Sequence, residues 1–418
     1  MHILMSTDAF PPVCGGSGWS SYELARGLRA RGHRVTVVQP KPGTPGGVRE
    51  RTYDGLRVLE HGSPAPRVPY VRNYFKNERL YPVLADFLAD LIASEHVDLV
   101  HGQHVLTCIP SIAAGRRASV PVVCTVRDYW PVCYWSDLIH TTDGANLCPG
   151  CSAGMMTRCI RPRAGALWPA ALPMIPYMRA NLARKRRGLA GADAIVAVST
   201  TIAADLRARA PEIHGTRLDI IPNPVNVSVL RAAGNASAPL PQPYALYIGK
   251  LAPNKGTRHL VPTIVKAGLD WPLVVAGTGP DREVIEAEAA RSGRDIRLIG
   301  WIDQAAAARW MAHASMLIFP SRGPESLSRV LIEASALGVP IAAMNTGGTP
   351  DIIVNGQTGL LSTTPDGLAE DVRRLREDAD LRARLSAAAR VHAEERFDAP
   401  AVVARIEALY LELVSGHR

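Results

Sequence analysis

No stretch of the chain reaches the roughly 18 consecutive apolar residues that a membrane-spanning helix requires. The start, Met1-His2-Ile3-Leu4-Met5, lacks the charged region and small-residue cleavage site of a secretory signal and runs straight into a strand pattern. Cysteine is scarce: seven residues in 418, an odd number in a chain long enough not to need disulfide staples. A cytoplasmic, reducing location is therefore expected. Low-complexity tracts and short internal repeats are missing too, so the 35 glycines and 33 prolines punctuate many short elements. A hydrophobic share of 47% with 20% charged residues excludes disordered, collagen-like and coiled-coil chains.

What is present is positive charge and strand–helix alternation. The 47 Lys and Arg against 38 Asp and Glu leave +9, which suits nucleic acid, anionic lipid or phosphorylated substrates without choosing among them. At about 150 residues per domain the length predicts two to three domains. Strands are expected at His2–Ser6, Arg34–Val38, Leu99–His101, Val122–Val126 and Ala194–Val198, and a helix from Ser20 to Arg31 that buries Tyr22, Leu24, Ala25 and Leu28. After a Gly-, Ala- and Pro-rich linker at 231–243 the alternation restarts with Tyr244–Ile248, Leu273–Ala276, Arg297–Ile299, Met316–Phe319 and Pro340–Ala343. The expected fold is α/β: two Rossmann-like, doubly wound domains (1–230 and 244–390) facing across a cleft that takes the ligand. A closing helical segment, 391–418, is expected to pack back on the first domain. Residues 127–190 break the rhythm with four cysteines, an apolar proline-broken stretch and a basic run.

Three loops carry chemistry. Val13-Cys14-Gly15-Gly16-Ser17-Gly18 follows the first strand and opens a helix, so that Gly15 and Gly16 let backbone N–H groups approach a phosphate. The spacing is not the dinucleotide fingerprint, and Gln39 rather than an acid ends the second strand, which argues against nicotinamide. Gly249-Lys250-Leu251-Ala252-Pro253-Asn254-Lys255-Gly256 sets two ammonium groups on a shaped loop, fit to clamp a diphosphate and neutralise a leaving group. In Pro324-Glu325-Ser326-Leu327-Ser328-Arg329-Val330-Leu331-Ile332-Glu333 an apolar stripe predicts a helix with Glu325 at or before its first turn. Eight helical residues leave the two carboxylates about 80° apart, so they are expected to touch different parts of an extended ligand. The bland readings are a tight turn, solvated lysines and a helix-end carboxylate.

The Glu–seven residues–Glu spacing, the lysine loop and the double glycine together resemble glycosyltransferase family 4, retaining nucleotide-sugar transferases of GT-B fold. Ala30-Arg31-Gly32-His33, Asp98-Leu99-Val100-His101, Ile221-Pro222-Asn223, Ala276-Gly277-Thr278-Gly279 and Gly347-Gly348-Thr349 follow in the family's order. The resemblance implies that Glu333 binds the donor ribose and that Lys250 and Lys255 bind its diphosphate. By the same resemblance Glu325 lies against the donor sugar, and Leu327, Ser328 and Arg329 offer backbone N–H groups, with Gly16 approaching from the other domain. It implies a nucleoside diphosphate sugar as donor, a glycan, lipid-linked or small-molecule acceptor, no metal for catalysis and no nucleic-acid partner. Three departures stand out: Lys250 replaces arginine, Leu327-Ser328 replaces phenylalanine–glycine, and Arg127 stands where histidine is usual. Arg127 is either an electrostatic group at the reacting end or a partner for Asp128. His101 and His104 end a strand aimed at the expected cleft, as substrate contacts or as structural hydrogen-bonding groups.

Two features lie outside that resemblance. Cys148 and Cys151 have metal-ligand spacing, and with Cys133 and Cys159 they leave a structural metal, a disulfide and free thiols all open. Residues 164–187, apolar then basic, are either an anionic-membrane contact or a helical hairpin packed on its own domain. A non-catalytic nucleotide-sugar or glycan-binding protein is the alternative to an enzyme; an epimerase or phosphorylase lacks support.

Overall fold

The computed structural model describes residues 1–66, 74–141 and 147–417, so part of the 127–190 segment and Arg418 lie outside the described residues. Two units form, each around its own sheet. The first comprises Met1–Ser136, Tyr177–Pro224 and Ala399–Arg418; the second comprises Asp137–Pro176 and Val225–Asp398.

In the first unit the strands are β1 (His2–Ser6), β2 (Arg34–Pro42), β3 (Gly47–Tyr53), β4 (Leu56–Ser63), β5 (Leu99–Gly102), β6 (Val122–Val126), β7 (Ala194–Ala197) and β8 (Arg217–Ile220). They lie in the order β3-β4-β2-β1-β5-β6-β7-β8, all parallel except the β3–β4 hairpin. Because helices cover both faces, β1, β5, β6 and β7 are buried along their whole length, which is why they read as continuous apolar runs. The chain winds from β1 toward β2 on one side, and β5 takes up the other side, so the topology switches at the carboxyl end of β1. Helix Gly16–Ala30 starts there, four residues before the position expected from its pattern, and buries Tyr22, Leu24, Ala25 and Leu28.

The second unit holds β9 (Ala245–Ile248), β10 (Leu273–Ala276), β11 (Ile296–Gly300), β12 (Met316–Phe319), β13 (Ile341–Met344) and β14 (Leu360–Ser362), parallel in the order β11-β10-β9-β12-β13-β14. Here the switch falls between β9 and β12, and the loops that leave those two strands carry the lysines and Glu325. Each unit has its own core. Ile3, Met5, Leu28, Val37 and Val123 pack with Val403, Ile406 and Leu409 of the last helix, Ala399–His417. That helix seats so closely that a Cβ on Gly27 would stand 2.5 Å from Val403. Leu260, Ile264, Val275, Ile318, Leu368 and Leu385 anchor the second core. Residues 231–243 begin inside helix Val227–Gly234, which belongs to the second unit. Among the described residues no helix is long and apolar enough to cross a membrane.

Candidate functional site

In the second unit the site assembles at the carboxyl ends of β9 and β12. Lys255 Nζ donates to Glu325 Oε1 at 2.6 Å, and Ser321 Oγ donates to the same oxygen at 2.5 Å. Glu325 is buried, Lys255 half-buried and Lys250 exposed. The loops are held by close backbone approaches that exclude side chains. Gly256 has φ +65°, and a Cβ there would sit 1.8 Å from the carbonyl oxygen of Pro320. Gly347 (φ +53°) is pressed equally hard against the Glu325 backbone, whose carbonyl accepts from Gly348 N–H at 2.6 Å. Asn254 closes the arrangement: its carbonyl accepts from the N–H groups of Arg322 and Gly323.

Glu325 does not ride on the helix. The helix spans Arg329–Leu337 with Ser328 as its N-cap, so the angle of about 80° expected between the two carboxylates does not apply. Pro324 and the extended backbone of Ser328 keep Glu325 in the loop before it. Glu333 is on the helix, buried, and accepts from Arg329 Nε at 2.7 Å, with both side chains 9% exposed. Ser328 makes no side-chain cap hydrogen bond, so the positive end of this helix offers N–H groups to an anion. Leu327 and Ser328 are themselves buried, and Gly249 lies at the loop's start with its φ at +159°. Two ammonium groups, an uncapped helix end and two carboxylates suit a ligand that carries both phosphate and hydroxyl groups.

In the first unit Gly15 caps helix Gly16–Ala30 without a side chain; Gly15, Gly16 and Ser17 are exposed, and a Cβ on Gly15 would meet nothing within 4 Å. Nothing in the packing demands glycine at 15; its effect is to leave the helix end open. Beside it, at the ends of β1, β5 and β6, His104 Nδ1 lies 2.9 Å from Asp8 Oδ2 and its Nε2 lies 3.0 Å from Asp128 Oδ2. Burial pulls the His104 imidazole down, but the two carboxylates overcome this and hold it well above its ordinary value. The two carboxylates thus favour the protonated imidazole.

His101 and Arg127 are placed deeper. His101 is fully buried; its Nδ1 meets the Tyr410 hydroxyl and its Nε2 the Thr125 hydroxyl at 2.7 Å. Burial, reinforced by the nearby Arg127 charge, keeps it neutral. Arg127 is 7% exposed, with its guanidinium donating to Asn223 Oδ1 and Gln103 Oε1. Sequence reasoning singled out none of Asp8, Gln103, Ser321 and Tyr410, and marked Asn223 only as part of the Ile221-Pro222-Asn223 motif. Asp8 was findable as the acid just beyond a buried strand at a switch point, whereas Tyr410 comes from the far end of the chain.

Among the described residues, no group of three or more His, Cys, Asp or Glu side chains is placed to hold a metal ion. The chain's division runs through the set Cys133, Cys148, Cys151 and Cys159: Cys133 belongs to the first unit and the other three to the second.

A family model described as Glycosyltransferase Family 4 matches residues 14–229, and one described as Glycosyl transferases group 1 matches 234–392. The chain is 26% identical to a glycogen synthase of Mycobacterium tuberculosis over all of its own length and 96% of that protein. It is 27% identical to a GDP-mannose-dependent alpha-mannosyltransferase of Mycolicibacterium smegmatis, over 86% of this chain and 84% of the other. Among solved structures, sucrose-phosphate synthase from Thermosynechococcus elongatus superposes with a TM-score of 0.68 at 20% identity over 100% of both chains. HepE from Anabaena in complex with UDP superposes with a TM-score of 0.67 at 16% identity, over 99% of this chain and 100% of that one. The fold is that of the GT-B glycosyltransferases.

Proposed function

The chain belongs to glycosyltransferase family 4, and from that premise we propose that it moves a hexose-type sugar from a nucleoside diphosphate sugar to an acceptor hydroxyl with retention at the anomeric carbon. The observation that carries this reading is the Lys255–Glu325 pair at the β9–β12 switch, set beside an uncapped helix end.

Lys250, Lys255 and the N–H groups of Leu327 to Arg329 meet the donor diphosphate, where positive charge is worth most as the leaving group departs. Glu333 accepts from the ribose hydroxyls and Glu325 from the sugar hydroxyls. The anomeric C–O bond breaks with its electron pair going to the phosphate oxygen. The acceptor oxygen bonds to the anomeric carbon on the same face, and its proton passes to the departing phosphate. No metal is needed for this, because the two ammonium groups carry the charge. From the first unit, the open end at Gly15 and Gly16 serves a phosphate. The Asp8–His104–Asp128 set serves the acceptor, with His101 and Arg127 buried in the same sheet's strand ends.

The acceptor is a glycan, a lipid-linked carrier or a small molecule, and the activity is placed in the cytoplasm. The non-catalytic alternative is not favoured, since glycosyltransferase models match both halves of the chain and both lysines and both glutamates are present. Thermal-shift screening against UDP-, GDP- and ADP-sugars, followed by NMR of the anomeric proton in the product, tests the reading. Glu333→Ala is expected to abolish the shift, and Glu325→Ala to keep most binding while turnover is lost. An inverted product, or wild-type transfer by both variants, would overturn it.

A further inference from the structure

Between Cys148 and Ala192 the sequence holds eight Lys and Arg and no Asp or Glu, so this one stretch carries eight of the nine units of net positive charge. At its centre, Ala164 to Met178 contains no charged side chain, and none of the residues from Ala164 to Tyr177 is buried. The chain makes a helix at Ala153–Ala164, a turn, a four-residue helix at Trp168–Ala171, and a long helix at Met174–Leu189. The long helix packs through Met178, Asn181, Leu182, Lys185 and Leu189. The turn before it packs only in part: Trp168, Leu172, Met174 and Ile175 are half-buried, but Leu167 is 75% exposed, and Ala166, Pro169, Ala170, Pro173 and Pro176 are exposed with it. A hairpin folded onto its own unit would bury these side chains.

The charges around the turn are available. Of the eight basic residues, Arg163, Arg184 and Arg186 pair with Asp137, Glu78 and Glu212, and Lys185 is buried. Arg158, Arg161, Arg179 and Arg187 are exposed and have no carboxylate partner among the described residues. Arg161 lies over the Trp168 ring at 5.5 Å, which places a cation on the aromatic next to Leu167. An exposed Leu167 beside a half-buried Trp168 with an arginine on its ring matches the boundary between lipid headgroups and acyl chains, where apolar side chains enter and bases meet phosphate.

We propose that the turn Gly165–Pro176 is a reversible anchor for the anionic face of a lipid bilayer. Leu167 and Trp168 enter the boundary, and Arg158 and Arg161 bind lipid phosphates. A polyanion such as nucleic acid would use the arginines but gain nothing from Leu167.

The test is co-sedimentation of the full chain, without donor, with vesicles of phosphatidylcholine containing phosphatidylglycerol and with vesicles of phosphatidylcholine alone. The protein should partition onto the first and not the second, and added salt should release it. Leu167→Ser should weaken partitioning about tenfold, from the loss of one buried leucine. Arg158→Glu with Arg161→Glu should weaken it about thirtyfold. All three positions are exposed, so melting temperature and the nucleotide-sugar thermal shift should match wild type in every variant. Failure of the wild type to bind, equal binding to both vesicles, or full binding by Leu167→Ser would overturn the anchor. Binding to DNA as tight as to the anionic vesicles, unaffected by Leu167→Ser, would show a polyanion site instead. Because donor is absent, failure here leaves the sugar-transfer reading standing, and the reverse also holds.

Discussion

Replacing Lys255 by methionine isolates the interaction on which the proposed donor site is built. Its ammonium sits 2.6 Å from Glu325 Oε1, with side-chain exposures of 32% for the lysine and 10% for the glutamate. Stripping one partner from a fully buried pair costs about 3–5 kcal/mol, whereas exposed pairs contribute about 0–1 kcal/mol. This pair lies between those limits, and Ser321 continues to satisfy Glu325 after the change. Lys255→Met should therefore destabilise the chain by about 2 kcal/mol, close to thirtyfold in the unfolding equilibrium. Glu325→Gln should cost less, about 1 kcal/mol, because the half-exposed lysine regains water and glutamine keeps the Ser321 hydrogen bond. The double variant has no stranded charge and should lie within about 1 kcal/mol of wild type, a coupling of about 2 kcal/mol. Urea unfolding followed by circular dichroism measures all four proteins, and sugar transfer is assayed beside it. The double variant should recover stability without recovering turnover. Additive losses would show that the pair does not form, and wild-type turnover in the double variant would remove both residues from the chemistry.

Three further outcomes are expected. The His104 imidazolium has a folded value raised above the unfolded value of about 6.5, so its contribution is complete below that pH and fades as pH rises through the raised value. The melting-temperature gap between wild type and His104→Asn should shrink as pH climbs above neutrality; a widening gap would contradict the ion-pair geometry. Gly256→Ala forces a Cβ against the Pro320 carbonyl at positive φ and should cost more than about 2 kcal/mol, while Gly15→Ala, facing open space, should cost at most about 1 kcal/mol. Tyr410→Phe strips His101 Nδ1 of its hydroxyl partner inside the core and should cost about 1–3 kcal/mol in denaturant unfolding, with the donor KM unchanged.

The strands that the sequence reveals most plainly are those buried on both faces. His2–Ser6, Val122–Val126, Leu273–Ala276 and Met316–Phe319 begin and end where the sequence pattern places them. The β3–β4 hairpin escapes such reading because β3, Gly-Val-Arg-Glu-Arg-Thr-Tyr, is an exposed polar edge strand. Its signal was the turn: Asp54-Gly55, both at positive φ, is a two-residue hairpin loop of the favoured kind. β14 spans only three residues, too few for a pattern. In the site, spacing along the chain was enough to mark Lys255, Glu325 and Glu333, since each lies on a loop or helix next to a switch-point strand. Burial was not legible. Arg127 follows a strand end and His101 lies near one, yet their partners Asn223 and Tyr410 come from segments far along the chain. The same distance hid the Asp8–His104–Asp128 set, whose three members leave three different strands.

The central claim is that the β9–β12 switch of the second unit holds a nucleoside diphosphate through Lys255 and Glu333. Calorimetric titration of the full chain with UDP, GDP and ADP, repeated for Lys255→Met and Glu333→Ala, addresses it without any assumption about sugar or acceptor. One of the nucleotides should bind the wild type, Lys255→Met should weaken it at least about tenfold through loss of a phosphate cation, and Glu333→Ala should abolish it. A nucleotide bound with equal affinity by all three proteins would contradict the assignment.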